Sequence, residues 1–210
     1  MSKILAIIGA GDLGQQIAHY AITDHHYNEV VFFDDFTKNV EINGHKVIGP
    51  ISEVEKSFYN NVFNELIIGI GYKHLIFRKS LYHQFEKSIP FGTIIHSTCW
   101  IDKTARIFPG CVVYPNCSID AHATINNNTI LNLNCSISHN STIGAHSFLS
   151  PRVAIAGFVT IEEQVIIGIN ATLIDSITIV SNTQIGGGTV VIDDLKISGL
   201  YVGNPAKFIR

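Results

Sequence analysis

From Ile95 onward every sixth residue is aliphatic. Ile95, Ile101, Ile107, Val113, Ile119, Ile125, Leu131, Ile137, Ile143, Leu149, Ile155, Ile161, Ile167, Leu173, Ile179, Ile185, Val191 and Ile197 are all Ile, Leu or Val. Four residues after each stands a second column of mostly small residues. It runs Cys99, Ala105, Cys111, Cys117, Ala123, Thr129, Cys135, Ser141, Ser147, and later Val153, Val159, Val165 and Ala171. No insertion breaks either column. A period of six fits neither the 3.6 of a helix nor the alternation of a simple strand. It predicts a solenoid in which each hexad is a short strand plus a corner, and about three hexads close one triangular coil. The aliphatic residue points inward and the small one fills the rest of the prism. Asp102, Asp120, Asn126, Asn132, Ser138, Gly144, Gly168 and Gly186, which directly follow the aliphatic residues, are expected to form the turns.

Before Ile95 the pattern changes. Residues 4–8 read as a short buried strand, 15–23 as a helix and 30–33 as a second strand ending in Asp34-Asp35. Residues 53–58 suggest a short helix, 66–70 a third strand, 74–87 an amphipathic helix, and 93–95 a last strand leading into the repeats. Strands alternating with helices predict a small parallel sheet covered by helices, a Rossmann-like arrangement. The chain therefore divides into an α/β domain at 1–94 and an all-β solenoid with a C-terminal tail at 95–210.

Between the first strand and first helix lies Gly9-Ala10-Gly11-Asp12-Leu13-Gly14, a GxGxxG pattern, with Asp34 twenty residues beyond its last glycine. Glycines there allow a tight turn and bring backbone N–H groups at a helix N-terminus close to a phosphate. A carboxylate at the tip of the second strand, Asp34 or its neighbour Asp35, is placed to accept from a ribose or base. Three readings stay open: NAD, a mononucleotide or nucleotide sugar, and a glycine turn that merely closes a βα unit. About ninety residues supply roughly half of a complete dinucleotide-binding sheet, which favours the smaller ligand.

Composition narrows the field. Acidic residues number 17 against 14 Lys plus Arg, and charged residues make up 15 % of the chain. There is no basic surplus of the kind nucleic-acid binding requires, and the aliphatic content excludes disorder. No apolar run reaches the length that spans a bilayer, and residues 3–9 are too short for a signal-peptide core, so a cytoplasmic location with no membrane partner is expected. The four cysteines, Cys99, Cys111, Cys117 and Cys135, all fall in the small inward column, and CxxC spacing is absent. They read as buried structural thiols, with no metal expected.

An α/β domain followed by an unbroken hexapeptide solenoid resembles the bacterial nucleotide-linked amino-sugar N-acetyltransferases and the related sialic-acid O-acetyltransferases. The motifs behind this resemblance are Gly9–Gly14, Phe33-Asp34-Asp35-Phe36, Ile70-Gly71, Ile137-Ser138-His139-Asn140, Ile167-Gly168-Ile169-Asn170, Gly186-Gly187-Gly188 and Tyr201-Val202-Gly203-Asn204-Pro205-Ala206-Lys207. The last is widespread at the ends of acetyl-CoA-dependent hexapeptide proteins. The resemblance implies a left-handed parallel β-helix and a homotrimer. It implies transfer of acetyl from acetyl-CoA to the 4-amino group of a UDP- or dTDP-linked 4-amino-4,6-dideoxy sugar, for surface polysaccharide, O-antigen or glycan biosynthesis. It implies no resident metal and no NAD.

Carried over position by position, the resemblance makes His139 the general base, Asn140 its orienting neighbour and the N–H of Gly157 the oxyanion donor. The nucleotide sugar would meet Gly9, Gly11, Asp12, Leu13, Asp34, Asp35 and Gly71. Acetyl-CoA would lie along Phe148, Gly157, Ile169, Gly187, Pro205 and Lys207. Three positions depart from the family pattern: Asn140 stands where a glutamate is common, Phe148 where a second histidine is found, and Leu13 where a histidine often precedes the last glycine. The chemistry suits the residue types. Only a neutral amine attacks a thioester, and a histidine, which ordinarily titrates near pH 6.5, takes up a proton at cellular pH. No serine or cysteine is placed as an obvious nucleophile, so direct transfer is expected over an acetyl-enzyme. Other readings are O-acetylation of sialic acid or a similar sugar and a nucleotide-sensing scaffold without catalysis. A carbonic anhydrase of the γ type would hold zinc through His122, His139 and His146, but leaves the N-terminal domain without a purpose.

Overall fold

The computed structural model describes residues 3–210. The chain separates into two compact units, Met1–Ile94 and Ile95–Arg210.

The first unit is built on β1 (Ile4–Ile8), α1 (Asp12–Thr23), β2 (Glu29–Phe33), β3 (Glu41–Ile42), β4 (His45–Gly49), α2 (Val54–Tyr59), β5 (Glu65–Ile68) and α3 (Leu75–Phe85). These strands form a sheet of order β3-β4-β2-β1-β5. β1 runs parallel to both β2 and β5, and β2 parallel to β4. β1, β2 and β5 are apolar almost throughout because both their faces are covered, as parallel strands require. Ala6, Ile8, Val31, Phe33, Leu66 and Ile68 pack with Val54, Leu81, Tyr82 and Phe85. Alternation sends Leu5, Ile7, Val30, Phe32 and Ile67 to the opposite face, and they are equally buried. α1, which contacts β1 and β2, buries Ile17, Ala18 and Ala21.

The sequence reading gave the main order of elements and missed one pair. β3 and β4 form an antiparallel hairpin whose two turn residues, Asn43 and Gly44, have φ of 50° and 80°. Asn-Gly with positive φ at both positions is the favoured two-residue hairpin turn. The third strand ends at Ile68, two residues earlier than expected. A 3-10 turn at Tyr72–His74 precedes α3, which ends at Phe85.

The second unit is the left-handed parallel β-helix that the period of six and the resemblance together called for. Its strands, nearly all of two residues, stack into sheets of six, five and eight strands, one per face of the prism. Neighbours within a sheet are 18 residues apart, Ile119 opposite Ile137 and Ile137 opposite Ile155. The interior contains Val113, Ile119, Ile125, Leu131, Ile137, Ile143, Leu149, Ile155 and Ile161 alongside the small column Cys111, Cys117, Cys135, Val153, Val159, Val165 and Ala171. Two expectations are corrected. Ile197, the last of the aliphatic column, is 64 % exposed, and Leu195 and Tyr201 close that end of the core instead. The turns are not made by the residue directly after each aliphatic one. They are made two residues later, at Asn116, His122, Asn128, Asn134, Asn140, His146, Arg152, Phe158, Gln164, Asn170, Ser176 and Asn182, which all have φ between 55° and 62°. That residue reverses the chain in left-handed backbone, which Asn tolerates best of the non-glycine residues. The position directly after the strand must instead let the next coil pass close by. A Cβ on Gly144 would lie 2.3 Å from the Glu162 carbonyl carbon, and one on Gly168 would lie 2.4 Å from the Gly187 nitrogen.

The polar members of the small column share one role. Cys99, Cys111, Cys117 and Cys135 each donate to the backbone carbonyl 15 residues ahead, at 3.1–3.3 Å. Thr129 and Ser141 donate to the equivalent carbonyls of Gly144 and Ala156, at 3.1 and 2.8 Å. Thiol and hydroxyl thus satisfy the same buried acceptor in successive coils. Contact with Cys135, together with burial, pushes the Cys117 thiol up to about 12, which suits an inert structural group.

Candidate functional site

In the first unit the chain leaves β1 through a loop whose three glycines stand in different settings. Gly9 has φ of +99°, and its N–H donates to Phe33 O. A Cβ on Gly14 would lie 1.9 Å from Gly9 O, so α1 packs against the loop only because that position is bare. A Cβ on Gly11 would meet nothing within 4 Å. Gly11 is therefore bare toward open space, at the cap of α1, whose first N–H groups have no partner within the helix. This is the arrangement by which a helix N-terminus receives a phosphate.

Asp34 holds the loop in place. Its Oδ2 accepts from Ala10 N–H at 2.8 Å, and its Oδ1 from Phe36 and Thr37 N–H at 2.8 and 2.9 Å. Burial opposes ionisation of this carboxyl, yet the three backbone donors outweigh it and hold Asp34 below the usual carboxylate range. Asp35 uses Oδ1 to accept from Ile51 N–H at 2.8 Å, and among the described residues its Oδ2 has no partner.

A cavity of about 310 Å³ opens beside the loop, lined by Ile8, Gly9, Asp34, Asp35, Phe36, Ile51, Ile70, His74 and Phe77. Of the substrate residues expected from sequence, Gly9, Asp34 and Asp35 line it. Gly11, Asp12, Leu13 and Gly71 do not, although a Cβ on Gly71 would lie 4.0 Å from the Leu13 side chain. Sequence reasoning missed Ile51, His74 and Phe77, and used Phe36 and Ile70 only as markers of resemblance. Phe36, 91 % exposed, is an apolar ring left in solvent at the cavity lip.

In the second unit His139 occupies the corner between strands Ser136–Ile137 and Thr142–Ile143, and its side chain is exposed. The ring lies over Gly157, one coil ahead: a Cβ there would be 2.8 Å from His139 Cε1 and 2.9 Å from Nε2. Nδ1 stands 3.1 Å from Asn140 Oδ1. With that oxygen accepting, Nδ1 carries the proton and Nε2 keeps its lone pair. Phe158 meets the ring edge to face, centroids 5.1 Å apart and planes at 87°. Among the described residues the N–H of Gly157 donates to no acceptor, while its carbonyl receives Ser176 N–H at 3.0 Å. A lone-pair nitrogen and a free backbone donor thus stand at adjacent coils of one corner, the pairing that acyl transfer to an amine needs.

The expected acetyl-CoA residues spread along the solenoid. Ile169 and Gly187 meet at one corner, where a Cβ on Gly187 would be 3.1 Å from Ile169 Cγ2. Pro205 follows a cis peptide bond after Asn204, and Lys207 pairs with Val202 on an exposed antiparallel strand. Phe148 is only 6 % exposed, between Ile130 and Ile166 on its sheet, so it packs. His146 is buried with Nδ1 3.0 Å from Asn128 Nδ2, and no described group of three His, Cys, Asp or Glu is placed to hold a metal. Among the described residues no helix is long and apolar enough to cross a membrane.

Residues 4–85 match the PglD N-terminal domain family. No curated protein sequence matches the chain. Among solved structures, the acetyltransferase domain of PglB from Neisseria gonorrhoeae FA1090, in complex with acetyl coenzyme A, is 27 % identical with a TM-score of 0.92, covering 100 % of both chains. PerB from Caulobacter crescentus, in complex with CoA and GDP-perosamine, is 25 % identical with a TM-score of 0.90, over 98 % of this chain and 97 % of that one. WeeI from Acinetobacter baumannii AYE shares the fold, with a TM-score of 0.86 at 20 % identity over 99 % of this chain and 100 % of that one.

Proposed function

We propose that this chain, whose residues 4–85 match the PglD N-terminal domain family, is an acetyl-CoA-dependent N-acetyltransferase acting on a nucleotide-linked 4-amino-4,6-dideoxy sugar. The observation that carries the reading is the imidazole of His139 lying over Gly157 with Nδ1 held by Asn140. The amine, in its neutral form, attacks the thioester carbonyl. His139 Nε2 takes the proton the nitrogen sheds as the C–N bond forms. The carbonyl oxygen becomes an oxyanion and accepts from Gly157 N–H, an interaction that strengthens as charge develops. The intermediate then collapses, the C–S bond breaks, and the imidazolium returns the proton to the departing thiolate. Asn140 keeps the ring in the tautomer this sequence requires.

The first unit is assigned the nucleotide. The α1 N-terminus at Gly11 suits the diphosphate, and the 310 Å³ cavity suits a base. The base we assign is uracil or thymine. Asp34 has spent both oxygens on backbone N–H groups, and Asp35 retains one. One free carboxylate oxygen matches the single N3–H of uracil or thymine, whereas guanine offers donors at both N1 and N2. The active assembly we assign is a homotrimer, to be checked by light scattering.

The test is thiol release from acetyl-CoA in the presence of UDP-, dTDP- and GDP-linked 4-amino-4,6-dideoxy sugars. Release with a uracil or thymine nucleotide, lost in His139→Ala, is the expected result. No release with any of the three sinks the proposal. Release with the guanine nucleotide alone sinks the base assignment and leaves the chemistry.

A further inference from the structure

Phe158 is an anomaly of the solenoid. It lies in left-handed backbone at φ 58°, where six of the other eleven residues of the turn series are Asn. Among the described residues it is the only large apolar side chain with positive φ. A bulky residue in that conformation is strained, and such strain persists where function or the surroundings demand it. Burial does not explain it, because Phe158 is 57 % exposed. What it touches does. Its ring stands edge to face against His139.

We propose that Phe158 is a positioning residue that fixes the exposed imidazole of His139 in its reactive orientation, an inference that rests on His139 being the base. Three contacts bound the ring. The bare Cα of Gly157 is its floor, Asn140 Oδ1 tethers Nδ1, and Phe158 walls one side. The tether alone leaves the ring free to swing about its Cα–Cβ bond as Asn140 follows. The wall removes that freedom, and proton transfer is sensitive to displacements of well under 1 Å. An aromatic ring supplies a broad, rigid face at low cost in rotamer entropy, which accounts for a phenyl where asparagine would relieve the backbone.

The strain makes the test discriminating. Phe158→Asn places a residue at ease in left-handed backbone, so its melting temperature should equal or exceed that of the unsubstituted protein. Its kcat should fall by roughly three- to tenfold, the worth of one aromatic pair, with KM for acetyl-CoA and sugar nucleotide within about twofold. Phe158→Tyr keeps the ring and should keep kcat. Unchanged kcat in Phe158→Asn overturns the proposal. So does a loss of activity that follows a lowered melting temperature in both variants, since that marks a structural role. Activity surviving in His139→Ala would instead remove the base assignment beneath it, a failure distinguishable from the first two.

Discussion

Asn140 both turns the chain and holds the His139 ring: its backbone has φ of 58° and its Oδ1 stands 3.1 Å from His139 Nδ1. Asparagine is unusual in doing both, since it accepts left-handed backbone and carries a short neutral acceptor. The two roles separate by substitution. Asn140→Gly keeps the turn and loses the acceptor, so kcat should fall about tenfold with the melting temperature nearly unchanged. Asn140→Ala loses both, and should add about 1 kcal/mol of destabilisation from the forced conformation. Steady-state kinetics and thermal melts on the two variants check this.

Gly157→Ala should uncouple activity from stability. The added methyl would sit 2.8 Å from His139 Cε1, and the ring is the free end of an exposed side chain, so it gives way. Moving the imidazole by about 1 Å should cost about a hundredfold in kcat. The fold has little to lose there, and the melting temperature should stay within about 2 °C. Equal losses in both measurements would contradict the arrangement.

Ser141 tests the interior donor column. Its Oγ donates to Ala156 O at 2.8 Å and accepts from Val159 N–H at 3.0 Å. Ser141→Ala strands both groups out of water and should cost about 1–3 kcal/mol in chemical denaturation. Ser141→Cys places there the thiol that Cys99, Cys117 and Cys135 use in the same column, and should cost less than about 1 kcal/mol.

Asp34 makes the first unit acid-sensitive. Its carboxyl is held low in the folded state by Ala10, Phe36 and Thr37 N–H groups, with burial working against them. A depressed folded-state value contributes stability above the unfolded value near pH 4, lost as pH falls through the folded one. Denaturation midpoints should therefore drop below about pH 4 more steeply in the unsubstituted protein than in Asp34→Asn. At neutral pH that variant should be the less stable of the two. Its freed loop at Ala10 should also weaken nucleotide binding, measurable by calorimetry.

What the sequence disclosed follows from what repeats. The solenoid was legible because each coil poses the same packing problem, so Ile or Val answers it every six residues and Cys or Ser answers the narrower gap. Its turns were misplaced by two residues because polar residues stand at both positions, and only backbone angles separate the bend from the close approach. The glycine loop was legible because Gly9 and Gly14 obey separate steric demands at fixed spacing, with Gly11 between them at the helix cap. The cavity residues Ile51, His74 and Phe77 were not, since they come from three distant segments and no local pattern unites them. The β3–β4 hairpin carries a local signal, Asn43-Gly44 between Ile42 and His45. The role of Asp34 as a backbone clamp was hidden because a carboxylate after a strand reads the same whether it faces ligand or loop.

The 18-residue register of the solenoid works as a ruler for the chemistry. Each wall is read modulo 18, so His139 faces Gly157 because the two stand 18 residues apart, one coil to the next. Excising one complete coil beyond this pair would leave their facing intact and shorten the stack by about 4.8 Å. Losing six residues between them would deliver a different wall to the histidine. Such a chain could still bury its aliphatic columns and melt cooperatively, while having no glycine under its imidazole.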